Sequence, residues 1–414
     1  MQDETLTETL SLTDEETPLP EGWRLVRLGD VCYQGKMIIE PSSEKAKNLP
    51  YLGLESVESG TGKILSSASE VLSDEGKSTT FYFNSKHILY GKLRPYLNKV
   101  ALPDFEGRCT TEMIPLLPTE DAAREYLLLI LRRQETVNAV MRETTGSRMP
   151  RADMTTLLNL KIPLPPTIEE QRRIAAILDE QMKAVERARL AVEEQLKAAR
   201  LLPNAFLRSV FESEDAQSWQ KRKLVEIGKI KAGGTPSRGN KNYFKGNINW
   251  VKTLDLNCSL VKSTEEQISE DALSSMRGEV LPVGTVMVAM YGGAGTIGKS
   301  GLLGIEATTN QAVCSILPNK ETFVSDFLHF WLVYIRPEWM RFSSGNRRDP
   351  NINKNAVEQM LCPLPSINQQ RTFAEKLNEQ MQEVEKLKKT LTEQLEAIKK
   401  MPSALLRKAF AGEI

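Results

Sequence analysis

One long helical pattern occurs twice in this chain, and no other feature restricts the fold as much. Gln171–Phe211 and Gln370–Phe410 align without a gap, with 18 of 41 positions identical. The likeness extends upstream. "GSRMP" (146–150) matches "GNRRDP" (345–350), and "GW" at 22–23 matches "SW" at 218–219. A chain with this self-similarity is two copies of one structural unit. Each copy is a globular part of about 145 residues followed by a long helix.

The helical reading rests on local rules. Pro163, Pro165 and Pro166 stop any helix entering from upstream, as do Pro363 and Pro365. Thr167 and Ser366 are N-cap residues, with Glu170 and Gln369 three positions on as capping-box partners. Apolar residues then recur every three or four positions: Leu178, Met182, Val185, Val192 and Leu196 in the first copy, and Leu377, Met381, Val384, Leu391 and Leu395 in the second. Two such stripes bury each other best as a coiled coil. Arg189 and Lys388 interrupt the seam at matching places. Pro203 and Pro402 are expected to kink or cap the helices. A helix from about 167 to 202 would be roughly 50 Å long. With a twofold pseudo-axis relating the copies, the helices run antiparallel. The expected fold is α+β, with two mixed α/β globular domains separated by two long antiparallel coiled-coil helices in an internal pseudo-twofold repeat. The segments are 1–18, an acidic tail read as disordered; 19–166, a first domain; 167–213, a first helix; 214–362, a second domain; and 363–414, a second helix.

Composition bounds the setting. The 54 Lys and Arg balance 54 Asp and Glu, but six acids and no base lie in residues 1–18, which leaves the remainder at a formal +6. That is too weakly basic for indiscriminate polyanion binding, so any nucleic-acid contact must come from local patches. The longest apolar runs, "YLLLIL" and "FLHFWLVYI", fall short of the roughly 18 residues that cross a bilayer. No secretory leader is apparent. Five scattered cysteines without a C-x-x-C offer neither a zinc site nor a disulfide framework. A reduced cytoplasmic location, no membrane partner and no metal site are expected.

"GGAGTIGKS" (292–300) satisfies the phosphate-loop pattern from Gly293 through Gly298 to Lys299 and Ser300. A working phosphate loop opens a helix, whose amides hold the phosphate. Here "GLLGIEATTNQAVCSIL" follows, which is strand and turn. The aligned stretch of the first copy, "HILYGKLRPYLNKV" (87–100), lies 200 positions earlier and has Leu93, Pro95 and Asn98 where the second has glycine. The expectation is a strand–turn–strand common to both units. With two histidines, His87 and His329, and no paired carboxylates, no catalytic constellation emerges.

Binding chemistry remains. Turns in both copies mix bases with amides, hydroxyls and aromatics. The candidate contacts are Lys92, Arg94, Tyr96, Lys99, Ser147, Arg148 and Arg151 in the first copy. In the second they are Thr235, Ser237, Arg238, Lys241, Tyr243, Lys299, Asn346, Arg347 and Arg348. Arg reads guanine bidentately, while Lys, Ser and Thr hold phosphates.

With these features assembled, the chain resembles the specificity (S) subunits of type I restriction-modification systems. The stretches that carry the likeness are "LPEGWRLVRLGDV", "KLRPYLNKV", "AGGTPSR", "NYFKGNINWV", "GTIGK", "TTNQA", the helix entries "PLPPTIEEQ" and "PLPSINQQ", and "AFAGEI". The resemblance implies a non-catalytic DNA-recognition subunit whose two domains read the halves of a split, asymmetric target on double-stranded DNA. The helices would set the spacer and dock two methyltransferase (M) subunits, with restriction (R) subunits joining. S-adenosylmethionine, ATP and magnesium would belong to those partners, with no cofactor in this chain. The competing expectations are a phosphate-loop nucleotide hydrolase on a coiled-coil frame and a purely structural helical adaptor.

Overall fold

The computed structural model describes residues 19–65, 78–144, 148–292, 295–342 and 352–414, with 340–342 described by backbone alone. The acidic tail, Ser147, Gly293, Asn346, Arg347 and Arg348 lie outside the described residues. Two compact units emerge. The first comprises the chain through Val192 together with Gln394–Ile414, and the second comprises Glu193–Glu393. The division falls in the middle of both long helices. Each unit therefore owns a globular part, one half of its own copy's helix and one half of the other's.

The long helices are Ile168–Phe211 and Ile367–Phe410. Their entries differ in detail. Ser366 and Gln369 form a reciprocal capping box: Ser366 Oγ accepts from the Gln369 amide at 3.5 Å, and Gln369 Oε1 accepts from the Ser366 amide at 3.1 Å. In the first copy Thr167 Oγ1 accepts from the Glu170 amide at 3.2 Å, but Glu170 turns to Arg173 at 2.8 Å, so only half the box forms. Pro203 and Pro402 lie inside the long helices, which continue beyond them to Phe211 and Phe410. Each proline removes one i→i−4 bond. Burial of the residues beyond it, Leu207, Val210 and Phe211 in one helix and Ala409 and Phe410 in the other, outweighs that loss.

Within the first unit, Ile174 and Leu178 near the start of one helix share a core with Ala409 and Phe410 at the end of the other. Within the second, Leu207, Val210 and Phe211 share a core with Ala374 and Leu377. Beginning meets end in both units, so the helices are antiparallel. Leu178, Leu377, Val384 and Leu391 of the expected seam are buried, and Met182, Val185, Val192, Leu196, Met381 and Leu395 are half-buried.

The globular parts share one plan. Strand Arg24–Arg27 pairs antiparallel with Lys161–Leu164, and Gln220–Lys223 pairs with Leu361–Leu364. The first strand of each unit thus closes on the strand that feeds the long helix, and Pro363, placed in the second helical segment by sequence, belongs to that strand. An antiparallel sheet follows, ordered Cys32–Gln34, Met113–Pro118, Ile88–Gly91, Val100–Ala101 in the first unit. The second unit has Ile230–Ala232, Val313–Ile316, Val286–Ala289, Ser300–Leu303 in the same order and adds Ser259–Val261 at the edge. Each unit has another sheet besides, of four strands in the first and three in the second.

Two glutamines tie helix to module. Gln171 is buried; its Oε1 accepts from the Ala123 amide at 2.8 Å, and its Nε2 donates to the Asp121 carbonyl at 3.0 Å. Gln370 does the same with the Val324 amide at 2.9 Å and the Pro365 carbonyl at 3.0 Å. Ala123 and Val324 are the N-cap positions of helices Arg124–Arg132 and Ser325–Ile335, and neither has a side-chain cap of its own. The glutamine on the long helix satisfies an amide that would otherwise be stranded.

Candidate nucleic-acid interface

The two central hairpins are built on matched ladders with unequal turns. Tyr90 faces Val100, and Val288 faces Ser300. Ile88 faces Leu116, and Val286 faces Ile316. The equivalent of Ile88 is therefore Val286, 198 positions on, while Val100 corresponds to Ser300, 200 positions on. The uniform offset of 200 read from sequence is corrected: the second turn holds two extra residues. At the closing position Asn98 (φ 48°) corresponds to Gly298 (φ 71°), and both are left-handed. Asn tolerates that region. Only glycine fits at 298, because a Cβ there would stand 2.7 Å from Cγ of buried Trp339.

The phosphate-loop match is a hairpin turn. Ser300 begins a strand, the Gly298 amide donates to the Ala289 carbonyl at 3.0 Å, and the Lys299 amide donates to Thr296 at 3.0 Å. The Gly298 and Lys299 amides, which a phosphate loop would turn to its ligand, are engaged inside the hairpin. Arg336 Nη2 donates to the Gly295 carbonyl at 3.0 Å and holds the turn from beneath.

In the first unit the structure joins the two basic segments that sequence singled out. Arg94, itself left-handed at φ 52°, donates its amide to the Pro150 carbonyl at 2.7 Å. The Ala152 amide donates to the Lys92 carbonyl at 2.8 Å. Lys92, Arg94, Tyr96, Arg148 and Arg151 therefore stand on adjoining segments, and Arg94, Tyr96 and Arg148 are exposed. Glu112 binds Arg151 through Nε at 3.0 Å and Nη2 at 2.9 Å, and lies 3.9 Å from Lys92 Nζ. That hydrogen bonding raises the pKa of the Arg151 guanidinium. Lys99 is turned away from this group, donating to the Leu54 carbonyl at 2.7 Å. The second unit repeats the joint: the Ile352 amide donates to the Met290 carbonyl at 2.8 Å.

The second unit's other cluster gathers on the small sheet Ile248–Val251, Glu266–Ile268, Thr308–Thr309. Gly233 presses against Thr309 and Gly234 against Met276, and the Gly234 carbonyl accepts from Trp250 Nε1 at 3.1 Å. Arg238 lies over Phe244 at 4.5 Å and Trp250 at 5.3 Å from the ring centroids. Its two terminal nitrogens fork onto Glu266 at 2.7 and 3.2 Å. Lys252 reaches Glu265 and Glu266, both at 2.7 Å. Those partners, Arg238 foremost, hold the Glu266 carboxyl below its ordinary range. Thr235 donates to Gln311, Ser237 and Lys241 are exposed, and Tyr243 is half-buried against the sheet. Glu112, Lys252, Glu266 and the two glutamines escaped the sequence reading. Only the glutamines left a signal there, as the first identity of the aligned helices.

Known proteins place these features. The family model described as "Type I restriction modification DNA specificity domain" matches residues 20–197 and again 216–397. The type I restriction enzyme MjaVIII specificity subunit of Methanocaldococcus jannaschii is 26% identical, over 94% of this chain and 92% of its own length. The solved HsdS subunit of Thermoanaerobacter tengcongensis superposes with a TM-score of 0.72 at 25% identity, over 97% of this chain and 100% of that one. A chain from a study of complex assembly and conformational transition in a type I R-M system gives 0.74 at 25% identity, over 96% and 100%.

Proposed function

The chain belongs to the type I restriction-modification DNA specificity family, and from that premise we propose that it reads a split DNA sequence for such a complex. The observation that carries the proposal is the pair of modules with one ladder and two unlike surfaces. A shared frame with divergent turns suits two half-sites that differ, so the target is asymmetric. Arg94, Tyr96 and Arg148 in one unit, and Ser237 and Lys241 in the other, are proposed contacts that are exposed and make no ion pair among the described residues, and half-buried Lys299 is a further one. Phosphate contacts from the lysines position each module, and arginine and amide contacts read bases. Modules on one face of a duplex act about one helical turn apart, roughly 34 Å.

The chemistry belongs to partners: two methyltransferase subunits docked on the helical pair, and restriction subunits with them, in the cytoplasm. S-adenosylmethionine, ATP and magnesium are assigned to those subunits. The Gly298–Lys299 turn supports this assignment, since those two amides are engaged within the hairpin and a strand, not a helix, follows. Among the described residues no helix is long and apolar enough to cross a membrane.

The test is a comparison of modified bases in genomic DNA from the native host and from the same strain lacking this gene. Loss of N6-methyladenine at one split, asymmetric motif is the expected result. An unchanged methylation pattern in a host whose methyltransferase genes are expressed overturns the proposal.

A further inference from the structure

Each unit sets one glutamate between two cations on the surface assigned to DNA. Glu112 holds Arg151 and Lys92, and Glu266 holds Arg238 and Lys252. Both carboxylates are about one quarter exposed, 25% and 27%. The arrangement is not inherited from the repeat. Gly91 faces Met113 and Ala289 faces Val313, so the counterpart of Glu112 is Ala312. Glu266 opens a strand of the small sheet instead. The two units reached one electrostatic arrangement from different positions.

Ion pairs this exposed add little to folding stability. A carboxylate on a surface that meets a polyanion also opposes binding, and it withholds two positive charges from phosphates. We propose that Glu112 and Glu266 are positioning residues for sequence discrimination. Each fixes one arginine in a single pose and keeps two cations from binding any duplex regardless of sequence. The inference rests on the DNA-reading function proposed above.

The poses are defined. Arg151 uses its Nε and Nη2 edge on Glu112, which leaves Nη1 with only a 3.5 Å contact to the Met149 carbonyl. Arg238 uses its Nη1 and Nη2 end on Glu266, while Phe244 and Trp250 fix its plane. The two arginines thus present different donor edges. A fixed planar fork distinguishes acceptor pairs on base edges, whereas a freely rotating one seeks the nearest phosphate. Discrimination is a difference of affinities, and weakening the nonspecific one raises it.

The experiment uses the full-length chain as wild type, Glu112→Gln and Glu266→Gln, with Glu112→Asp as the conservative variant. A pool of random-sequence duplexes is selected on each and sequenced. Affinity for unselected random duplex is then measured against NaCl. The expected wild-type result is a split motif. Glu112→Gln broadens base preference in one half only, Glu266→Gln in the other half only, and Glu112→Asp keeps the motif. Both Gln variants bind random duplex several-fold tighter, with a salt slope steeper by about one to two, as one or two cations gain phosphates. A purely structural role predicts weaker binding to all DNA. A wild-type motif left intact in both variants, or equal blurring of both halves, overturns the inference alone. A wild type that enriches no motif overturns the DNA-reading function, and this inference with it.

Discussion

The hairpin turns at 92–99 and 290–299 sit on matched ladders of the two units and are held in opposite ways. The first closes with Asn98, whose amide Nδ2 donates to the Arg132 carbonyl at 2.8 Å. The second closes with Gly298 pressed against Trp339. One turn is fixed by a side-chain hydrogen bond and the other by close packing that excludes a side chain. A common frame therefore fixes where a turn is presented, while each copy solves its conformation with local chemistry. That freedom lets a duplicated module acquire a second target.

Four measurements break or sharpen the comparison. The largest effect belongs to the matched aromatics. Phe410 packs against Tyr126 with centroids 5.6 Å apart and carries Arg133 4.6 Å from its own centroid, while Phe211 contacts Trp219, Phe327 and Tyr334. Replacing either by Ala costs about 3–5 kcal/mol. Calorimetry should show Phe410→Ala lowering the transition of the first unit and Phe211→Ala that of the second. A single common shift would mean the units unfold as one.

Next come the turns themselves. Gly298→Ala places a Cβ against Trp339 in a left-handed backbone and costs about 2–4 kcal/mol. Asn98→Gly relieves the backbone but loses a hydrogen bond, a net loss of about 1 kcal/mol or less. Equal losses in denaturant titrations would mean that packing does not fix the second turn.

Acid separates the units in the same range of energy. His329 lies in the second unit's core, and burial pushes its imidazole down to about 4. The unfolded group titrates near 6.5. The unfolded state therefore binds more protons between those values, so the second unit's stability falls as pH drops from 6.5 towards 4, by up to about 3 kcal/mol. His329→Phe should flatten the pH dependence of Tm across that window. A variant as acid-sensitive as wild type would exclude His329 as the cause.

The smallest effect is on DNA. Arg94→Ala should weaken binding several-fold, reduce the salt slope by about one, and leave the second half of the motif unaltered. Equal loss in both halves would count against independent reading by the two units.

The helices, their antiparallel course and the strand that follows the glycine turn were legible in the sequence, because helical periodicity and the helix-or-strand signal after Ser300 are local. What the prolines do was less legible: Pro203 costs the helix a hydrogen bond locally, and the burial of Leu207 and Phe211 that offsets it is tertiary. The two-residue difference between the hairpins was hidden because inserted turn residues leave no mark until strands are paired. At the candidate site the cations were found and their counter-charges were not. Glu112 is 39 positions from Arg151 and Glu266 is 28 from Arg238, distances at which spacing carries no information.

The buried glutamines have a consequence for how such a protein changes over generations. Gln171 and Gln370 grip main-chain atoms: the amides of Ala123 and Val324, and the carbonyls of Asp121, Pro165, Thr322 and Pro365. Every polypeptide offers those atoms wherever a helix starts in the right place. The attachment is thus indifferent to which residues the module displays. Novel specificities can arise by substitution or wholesale exchange of surface, with no matching change demanded of the frame. The two copies in this chain, alike in their helices and unlike in their loops, are one completed instance of that history.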